Sequence, residues 1–487
     1  MIQQRIKKFI KKVFHRSAEP KRNRGNNEQQ NTEYKQSFDA SAAFEKARKI
    51  ARQRGNVQHA PDRLSRCIAP YVTEIIQSLQ NAGYEAYIVG GAVRDFLMGR
   101  EPKDYDLSTS ATPEQIRKVF RNRHCIIIGK RFRLVHLYCG REIIEISTFR
   151  RCPEQDVQQQ SPERSKRRTA APEKMIFRDN EFGTSYDDAF RRDFTVNAIF
   201  YDPVHNELFD YTGQGIRDIE ERRIRIIGEA ALRFEEDPVR MLRALKLKGQ
   251  YGFDFEEQTE TALRQCLPLI VHASFARMTL ELEKILKNPY GDSILEVFHE
   301  YGFLPYFLPF LEQHYDTPEG EYARKLFALR CKRLRNGDYR DSLSLAYACF
   351  TLPFFSTHHC GDGDFRYLWT EFYDGINDDI KSCLLQVFHP HTITHRASGA
   401  AVKNLVLQVR LKNEENLSRY RSLPGYANAR ELAVIQNMVC WNIENFEEKF
   451  PQASRSSGRK PHKNRSGNRS RKNGGAAQKH KFAGSGE

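Results

Sequence analysis

The 487-residue sequence has no long hydrophobic run and no closely spaced cysteine pair. Hydrophobic residues make up only 39% of it, and because no apolar stretch approaches about 18 residues, we expect no integral membrane segment. The ten cysteines are scattered singly, without a CxxC pair. This spacing argues against a zinc ribbon or a disulfide framework and favours the reducing cytoplasm.

Acidic residues are in deficit, with 62 Asp and Glu against 78 Lys and Arg, which gives a formal net charge of +16. The excess lies at the two ends of the chain. Residues 1–24 sum to +8 and residues 451–487 to +9, whereas residues 25–450 sum to −1. An excess of positive charge favours a polyanionic partner, most simply nucleic acid. The sequence therefore predicts a nearly neutral body with two basic appendages.

The two basic ends differ in pattern. Residues 451–487 combine Ser, Gly and Asn with basic residues such as Arg469, Arg471 and Lys472, so we expect a disordered tail. Such a tail is typical of an RNA-binding arm, and a segment that only aids solubility is the alternative. In residues 2–14, apolar side chains recur at spacings of three and four, which predicts an amphipathic helix. Both peripheral membrane contact and packing within the protein remain open for that helix.

Periodicity predicts an α+β fold, in which an α/β head is followed by an all-helical neck and body, with disordered basic termini. Six segments are predicted: a basic amphipathic segment 1–24, a linker 25–65 with a helix around 40–54, a head 66–230 with a flexible insertion 151–177, a neck 231–275, a body 276–450 and a tail 451–487.

The segment around Gly90 and Gly91 joins a predicted strand to a predicted helix. Two glycines there let the backbone approach a ligand, and the start of a helix offers N–H groups to phosphate oxygens. Asp104 and Asp106 follow on a strand predicted from 104 to 107, and they would project from the same face. Two carboxylates this close repel each other unless a cation lies between them, and Mg²⁺ favours carboxylate and phosphate oxygens. A magnesium site is therefore predicted at Asp104 and Asp106.

A third carboxylate, Glu145, lies on a predicted strand that could run beside this pair. Three carboxylates on adjacent strands suit two-metal nucleotidyl transfer, in which metal ions activate a hydroxyl and stabilise the leaving pyrophosphate. A Gly-Gly turn or an Asp-x-Asp pair alone is commonplace. Their order here, followed by the Glu145 strand, is far more specific.

These motifs resemble those of the class II nucleotidyltransferases, the family of tRNA CCA-adding enzymes and bacterial poly(A) polymerases. The resemblance is dense over residues 66–310 and also includes Arg191–Asn197 and Glu236–Ala244. It implies that Asp104 and Asp106 hold Mg²⁺ and that Asp193 is a further catalytic carboxylate. It also implies a nucleotide-binding site made of Gly90, Gly91, Arg94, Arg191, Arg192, Asp237 and Arg240.

The last two of these residues also form a local pattern. Asp237 followed by Pro238 predicts a helix N-cap with proline in the first turn. Arg240 lies three residues after Asp237, on the same helical face. By resemblance, this acceptor and this donor would read the Watson–Crick edge of a base, so that the protein itself acts as the template.

Two segments separate the members of the family. Ile127–Leu137 and Phe177–Gly183 resemble the poly(A) polymerases, whereas Ala92 is more common among CCA-adding enzymes. The resemblance thus favours addition of AMP from ATP to RNA 3′ ends, in the cytoplasm, as a mark for RNA-decay machinery. A CCA-adding nucleotidyltransferase is the alternative. A catalytically inactive RNA-binding protein is an alternative of another class, although every candidate carboxylate is present.

Overall fold

The computed structural model describes residues 40–129, 134–140, 142–151, 181–340, 342–359, 372–411 and 417–450. The predictions for residues 1–24, for most of the insertion 151–177 and for the tail 451–487 lie outside these residues. The chain divides into two compact units, residues 1–272 and 273–487. Across the described residues, no helix is both long enough and apolar enough to cross a membrane.

The first unit combines helices with strands. Its described helices are α1 (Ala40–Arg54), α2 (Asp62–Cys67), α3 (Pro70–Asn81), α4 (Gly91–Leu97), α5 (Pro113–Val119), α6 (Ser185–Arg191), α7 (Gly215–Glu220), α8 (Ala230–Glu236), α9 (Val239–Tyr251) and α10 (Glu257–Cys266), with 3₁₀ turns at Thr195–Asn197 and Leu267–His272. Its described strands are β1 (Asn56–His59), β2 (Ala86–Val89), β3 (Asp106–Thr109), β4 (Cys125–Ile128), β5 (Leu134–Cys139), β6 (Glu142–Thr148), β7 (Arg150–Arg151), β8 (Glu181–Phe182), β9 (Ile199–Asp202), β10 (Glu207–Asp210), β11 (Arg223–Ile224) and β12 (Asp254–Phe255).

Eight of these strands form one mixed sheet in the order β1-β10-β9-β2-β3-β6-β5-β4. Strands β3 and β6 run parallel, and every other neighbouring pair in this sheet is antiparallel. The predicted α/β head is therefore confirmed. β12 pairs with β11, so a short strand interrupts the neck that was predicted to be wholly helical.

The two faces of the sheet differ. One face carries Ile88, Leu107, Ile146 and Val135, which are almost fully buried, and α3 and α5 pack against strands of this sheet. The opposite face carries an aromatic cluster over β2, β9 and β10 that includes Tyr87, Phe200 and Phe209. Farther along this second face, the side chains on β6 and β4 become exposed. The sheet therefore has one covered face and one face that is only partly covered.

The segment predicted as a linker contributes to the head from residue 40 onward. Ala51 of α1 belongs to the aromatic cluster, and Arg48 pairs with Glu207 of β10 at 2.8 Å. β1 then adds to the sheet edge beside β10. The polar sequence of this segment did not indicate that it packs on the head, because β10, the strand with which β1 pairs, lies far along the chain.

The second unit is helical throughout its described residues. Its helices are α11 (Phe275–Lys287), α12 (Gly291–Glu300), α13 (Leu304–Phe307), α14 (Pro309–Gln313), α15 (Pro318–Asn336), α16 (Leu343–His359), α17 (Ile376–Val387), α18 (His395–Leu411), α19 (Leu417–Tyr420), α20 (Tyr426–Cys440) and α21 (Phe446–Lys449). Local signals set several of their ends. For example, α15 begins after Thr317, whose side chain accepts from the Gly320 N–H, and ends at Gly337 in the left-handed conformation.

A buried ion pair joins two of these helices. Arg333 of α15 donates to Glu431 of α20 at 2.5 Å, and their side chains are 10% and 5% exposed. The same guanidinium contacts Glu447 at 2.9 Å, but that carboxylate is 44% exposed. A buried charge that loses its partner is far more costly than an exposed one. Substituting each of these two carboxylates in turn therefore compares the stabilising effect of a buried ion pair with that of an exposed one.

We expect Glu431→Gln to lower the free energy of unfolding of the second unit by about 3 kcal/mol, because it removes the buried carboxylate of Arg333 and leaves only partly exposed partners such as Glu447. Glu447→Gln is the control and should cost less than about 1 kcal/mol. The sequence has two tryptophans, both after residue 272, and Trp441 lies in the described part of this unit, so tryptophan fluorescence during urea unfolding reports on it. Equal losses in the two variants would contradict the prediction.

Candidate active site

The glycine turn lies directly beside two of the predicted carboxylates. β2 ends at Val89, whose partner across β3 is Asp106, and the partner of Asp106 across β6 is Glu145. Residues at matched positions share a face of the sheet, so these three side chains form one row. Gly90 follows with φ of +76°, a conformation that favours glycine. The strand order thus brings Asp106 and Glu145 together next to the turn.

Asp104 lies outside the strand. β3 begins at Asp106, two residues later than predicted, so strand alternation does not set the direction of the Asp104 side chain. Both Asp104 and Asp106 are exposed. Their hard carboxylate oxygens are ligands that Mg²⁺ accepts, with water and substrate phosphate completing the shell.

Glu145 has a protein partner on the same face. Its Oε1 lies 3.2 Å from Nε2 of His136, the matched residue on β5. Among the described residues, no group of three or more His, Cys, Asp or Glu side chains is close enough to hold a metal ion. The described residues therefore do not form a preassembled group of three metal ligands, and the assignment of Asp104, Asp106 and Glu145 as ligands stays a prediction.

Arg192 reaches over this face from the end of α6. Its Nη2 lies 3.4 Å from Oγ of Ser108, which is two residues after Asp106 and so projects from the same face. A Cβ atom placed on Gly90 would lie 3.4 Å from Nη1 of Arg192. The guanidinium therefore lies beside the turn, where it could contact an anionic ligand.

A buried carboxylate holds the arginine pair in place. Asp188, whose side chain is 3% exposed, accepts from Arg192 at 2.8 Å and lies 3.5 Å from Arg191. It also accepts from the backbone N–H of Arg150. Asp188 was not predicted from the sequence, and its spacing of three and four residues before the arginines is the signal that could have identified it.

Asp193 is largely buried, with its side chain 15% exposed. Burial raises the pKa of Asp193, but Arg243, the Phe194 N–H and Asn197 outweigh burial and hold that pKa below its usual range. The contacts are 3.4 Å to Arg243, 2.9 Å from the Phe194 nitrogen and 3.4 Å from Nδ2 of Asn197. Asp193 is therefore ionised at neutral pH and anchored by protein groups.

Arg94 is buried, and its guanidinium donates hydrogen bonds to three neighbouring side chains. It donates to Asn197 at 2.7 Å, to Asp95 at 2.8 Å and to the Tyr251 hydroxyl at 2.5 Å. These bonds connect α4 to the Asp193 segment and to the end of α9. Arg94 was predicted to bind nucleotide; its contacts in this structure are with protein groups, and the nucleotide-binding role stays a prediction.

The predicted base-reading pair is placed differently from the sequence expectation. Pro238, not Asp237, occupies the N-cap of α9, although Oδ1 of Asp237 still accepts from the Val239 N–H at 3.3 Å. Arg240 is buried, and its Nη1 donates to the Arg233 carbonyl at 2.7 Å and to Glu236 at 3.3 Å. Glu236, four residues earlier, is therefore an ion-pair partner of Arg240.

Arg233 is a further residue that the sequence did not reveal. Its Nη2 donates to the carbonyls of Arg191 and Arg192, and its Nη1 donates to Glu236 at 2.9 Å. It thus joins α8 to the arginine pair beside Gly90. The distance in sequence between Arg233 and Arg191 left no local signal of this contact.

Comparisons with known proteins show what this chain is similar to. Residues 86–225 match the family described as the poly A polymerase head domain, and residues 252–315 match the probable RNA and SrmB-binding site of polymerase A. Poly(A) polymerase I of Haemophilus influenzae is 38% identical over 252 residues, which cover 52% of this chain and 54% of that protein. A CCA-adding enzyme of Geobacillus thermodenitrificans is 37% identical over 256 residues, 53% of this chain and 57% of that protein.

Among solved structures, the CCA-adding enzyme of Bacillus stearothermophilus in complex with CTP has a TM-score of 0.51 at 25% identity, covering 76% of this chain and 78% of that one. This likeness confirms the predicted fold class. The chain spans little more than half the length of the two curated relatives named above.

The contacts of Tyr251 generate a prediction for the head. Burial raises the pKa of Tyr251 to about 12, with Arg94 opposing it and Asp95 adding to it, so the hydroxyl is neutral and can bond both groups. Tyr251→Phe removes that hydroxyl but keeps the ring, which lies 4.2 Å from the Arg94 Cζ. We expect a loss of about 1–2 kcal/mol in unfolding free energy, measured by urea denaturation monitored by circular dichroism.

The exposed Tyr306 provides the control, and Tyr306→Phe should change the stability by less than about 0.5 kcal/mol. A Tyr251→Phe variant as stable as the parent would show that the Arg94 network does not depend on the hydroxyl.

Proposed function

We propose that the protein adds AMP from ATP to RNA 3′ ends, because residues 86–225 match the poly A polymerase head domain and the chain is similar to poly(A) polymerases and CCA-adding enzymes. The observation that carries the proposal is the row of Val89, Asp106 and Glu145, with the turn at Gly90 and the Arg192 guanidinium beside it, within a matched head domain. The match of residues 252–315 to a polymerase A model favours polyadenylation.

The triphosphate of ATP would lie against the turn at Gly90 and Gly91. There the Arg192 guanidinium supplies positive charge. Asp188 fixes the position of this guanidinium by accepting from its Nε and Nη2 only. Arg191, a quarter exposed, is the second cation of this pair. A phosphate at this position would therefore meet an arginine whose orientation Asp188 already fixes.

Asp104 and Asp106 would hold Mg²⁺, since both carboxylates are exposed and Asp106 is matched with Val89, the residue before the turn. When bound, Mg²⁺ lowers the pKa of an attacking hydroxyl and stabilises charge on the leaving pyrophosphate. Asp193 keeps Arg243 and Asn197 in place, and its lowered pKa keeps it ionised across the neutral pH range. Glu145, paired with His136, is a weaker candidate for a ligand.

Asp237 and Arg240 are proposed to select the base. Arg240 uses Nη1 for its bonds to Glu236 and the Arg233 carbonyl, so base contact would use the other nitrogens of its guanidinium. Since Arg233 also contacts the arginine pair, base selection and phosphate binding would share one hydrogen-bond network.

RNA attachment is assigned to the helical body and to the basic tail that contains Arg469, Arg471 and Lys472. A cytoplasmic location, partners in RNA decay and membrane contact through residues 2–14 stay predictions. Each rests on the sequence pattern or on the family resemblance.

A CCA-adding activity is the second candidate. Curated CCA-adding enzymes match this chain at 37–39% identity, as high as the poly(A) polymerases at 35–38%. Overall identity therefore does not separate the two activities, and nucleotide choice must be measured.

The deciding experiment offers the purified protein one nucleotide at a time with two RNAs, a generic oligonucleotide and a tRNA that lacks its CCA end. We expect long extension of the generic RNA with ATP alone and little incorporation from CTP. Addition from CTP and ATP that stops after CCA, and only on the tRNA, would replace our proposal with the second candidate. RNA binding without incorporation of any nucleotide would indicate an inactive protein.

The carboxylates can be ranked by substitution. We expect Asp106→Asn to reduce AMP incorporation at least about a thousandfold and to weaken the activation by Mg²⁺, because a principal ligand loses its charge. Glu145→Gln is the matched control on the neighbouring strand and should reduce kcat less than about tenfold, since His136 already occupies its oxygen. Equal losses at saturating Mg²⁺ would show that Glu145 is also a metal ligand.

A further inference from the structure

The head carries an exposed aromatic ring, Phe190, and a half-buried ring, Tyr186, next to an exposed cation. Phe190 of α6 is 40% exposed, and its ring centroid lies 4.7 Å from that of Tyr186, one turn earlier on the same helix. The Arg54 Cζ lies 5.5 Å from the Tyr186 ring. We name the surface formed by Arg54, Tyr186 and Phe190 the aromatic–basic surface.

The inner ring of this surface is firmly anchored. Tyr186 packs against the aromatic cluster of the head and meets Tyr211 edge-to-face at 5.9 Å. Phe190 therefore rests on a ring that the core holds in place, while its own side chain faces solvent. A single exposed phenylalanine is ordinary, but an exposed ring packed at a tilt of 40° against an anchored ring that has an arginine beside it is a more specific arrangement.

Charge around these rings favours a polyanion. Besides Arg54, helix α1 exposes Lys49 and Arg52. The nearby carboxylates are largely engaged: Glu207 bonds Arg48 and Arg52, Asp188 bonds the arginine pair, and Asp187 accepts from the Thr184 N–H and hydroxyl. Glu45 is exposed and lies 3.9 Å from Arg48. The surface thus combines flat apolar rings with cations.

The surface is continuous in the chain with the candidate active site. Phe190 is followed by Arg191 and then by Arg192, whose guanidinium lies beside Gly90 and Ser108. A ligand that extends out of the active site would meet the end of α6. Proteins that bind single-stranded nucleic acid combine aromatic stacking platforms with basic grooves in this way.

We propose that the aromatic–basic surface binds single-stranded RNA upstream of the 3′ end, with a base stacked on Phe190 and a backbone phosphate near Arg54. This inference rests on the proposed function, because it takes the substrate to be RNA. Stacking uses the face of any base and backbone contact ignores sequence, so the surface recognises single strands without sequence preference.

The test measures RNA binding directly, without ATP, by fluorescence anisotropy of the full chain with a labelled single-stranded RNA. Phe190→Ala should raise the Kd by about five- to tenfold, as loss of one stacked base predicts. Phe190→Leu, which keeps apolar volume but not the flat ring, should lose nearly as much. Phe190→Trp should retain the parental affinity.

Arg54→Gln should flatten the dependence of log Kd on log salt by about 0.7, the value for one phosphate contact on a single strand. In extension assays, Phe190→Ala should raise the KM for RNA and leave the KM for ATP unchanged. A duplex RNA of the same sequence should bind all Phe190 variants equally.

Unchanged single-strand affinity in Phe190→Ala would overturn the proposal, as would an equal loss for duplex RNA. Full affinity in Phe190→Leu would show that the residue serves only as an apolar contact and would also overturn it. Since the binding assay requires no catalysis, a protein that binds RNA through Phe190 but adds no nucleotide would refute only the proposed function.

Discussion

The candidate site depends on the register of β3 between its two neighbours. Because Asp106 is matched with Val89 on one side and Glu145 on the other, a glycine turn and two carboxylates from separate segments meet on one face. A shift by one residue would move Asp106 to the face where Leu107 is now buried. The apolar residues on the covered face therefore fix the position of the chemistry on the other.

Paired charges hold the surroundings of this row. Asp188 fixes the arginine pair, Asp193 binds Arg243 and Asn197, and Glu236 receives both Arg233 and Arg240. Each of these carboxylates is largely buried, and a buried carboxylate is tolerated only when cations or N–H donors compensate its charge. The same contacts join α6, α8 and α9, so compensation of charge also sets how these helices meet.

Much of this site could be predicted from the sequence, because local signals sufficed for its core. The strand before Gly90, the helix after it and the Glu145 strand follow from periodicity and from glycine. The start of β3 was placed two residues early, since strand ends are set by pairing with β2, which is not local. The role of residues 40–65 was missed for the same reason. Arg240 has two carboxylates within reach, at 236 and 237, and its 3.3 Å contact with Glu236 crosses the break between α8 and α9, which the sequence did not predict.

The net charge of residues 25–450 does not show which of their charged side chains are exposed. Residues 25–450 sum to −1, which suggests a body with little attraction for RNA. Many of its carboxylates, however, are buried in ion pairs; for Glu207, burial would raise the pKa, but Arg48 and Arg52 bond it and lower its pKa. Carboxylates engaged in this way contribute less to the field outside the protein, while Lys49 and Arg54 remain exposed. A nearly neutral body can therefore present a basic surface, and RNA contact need not be confined to the charged ends.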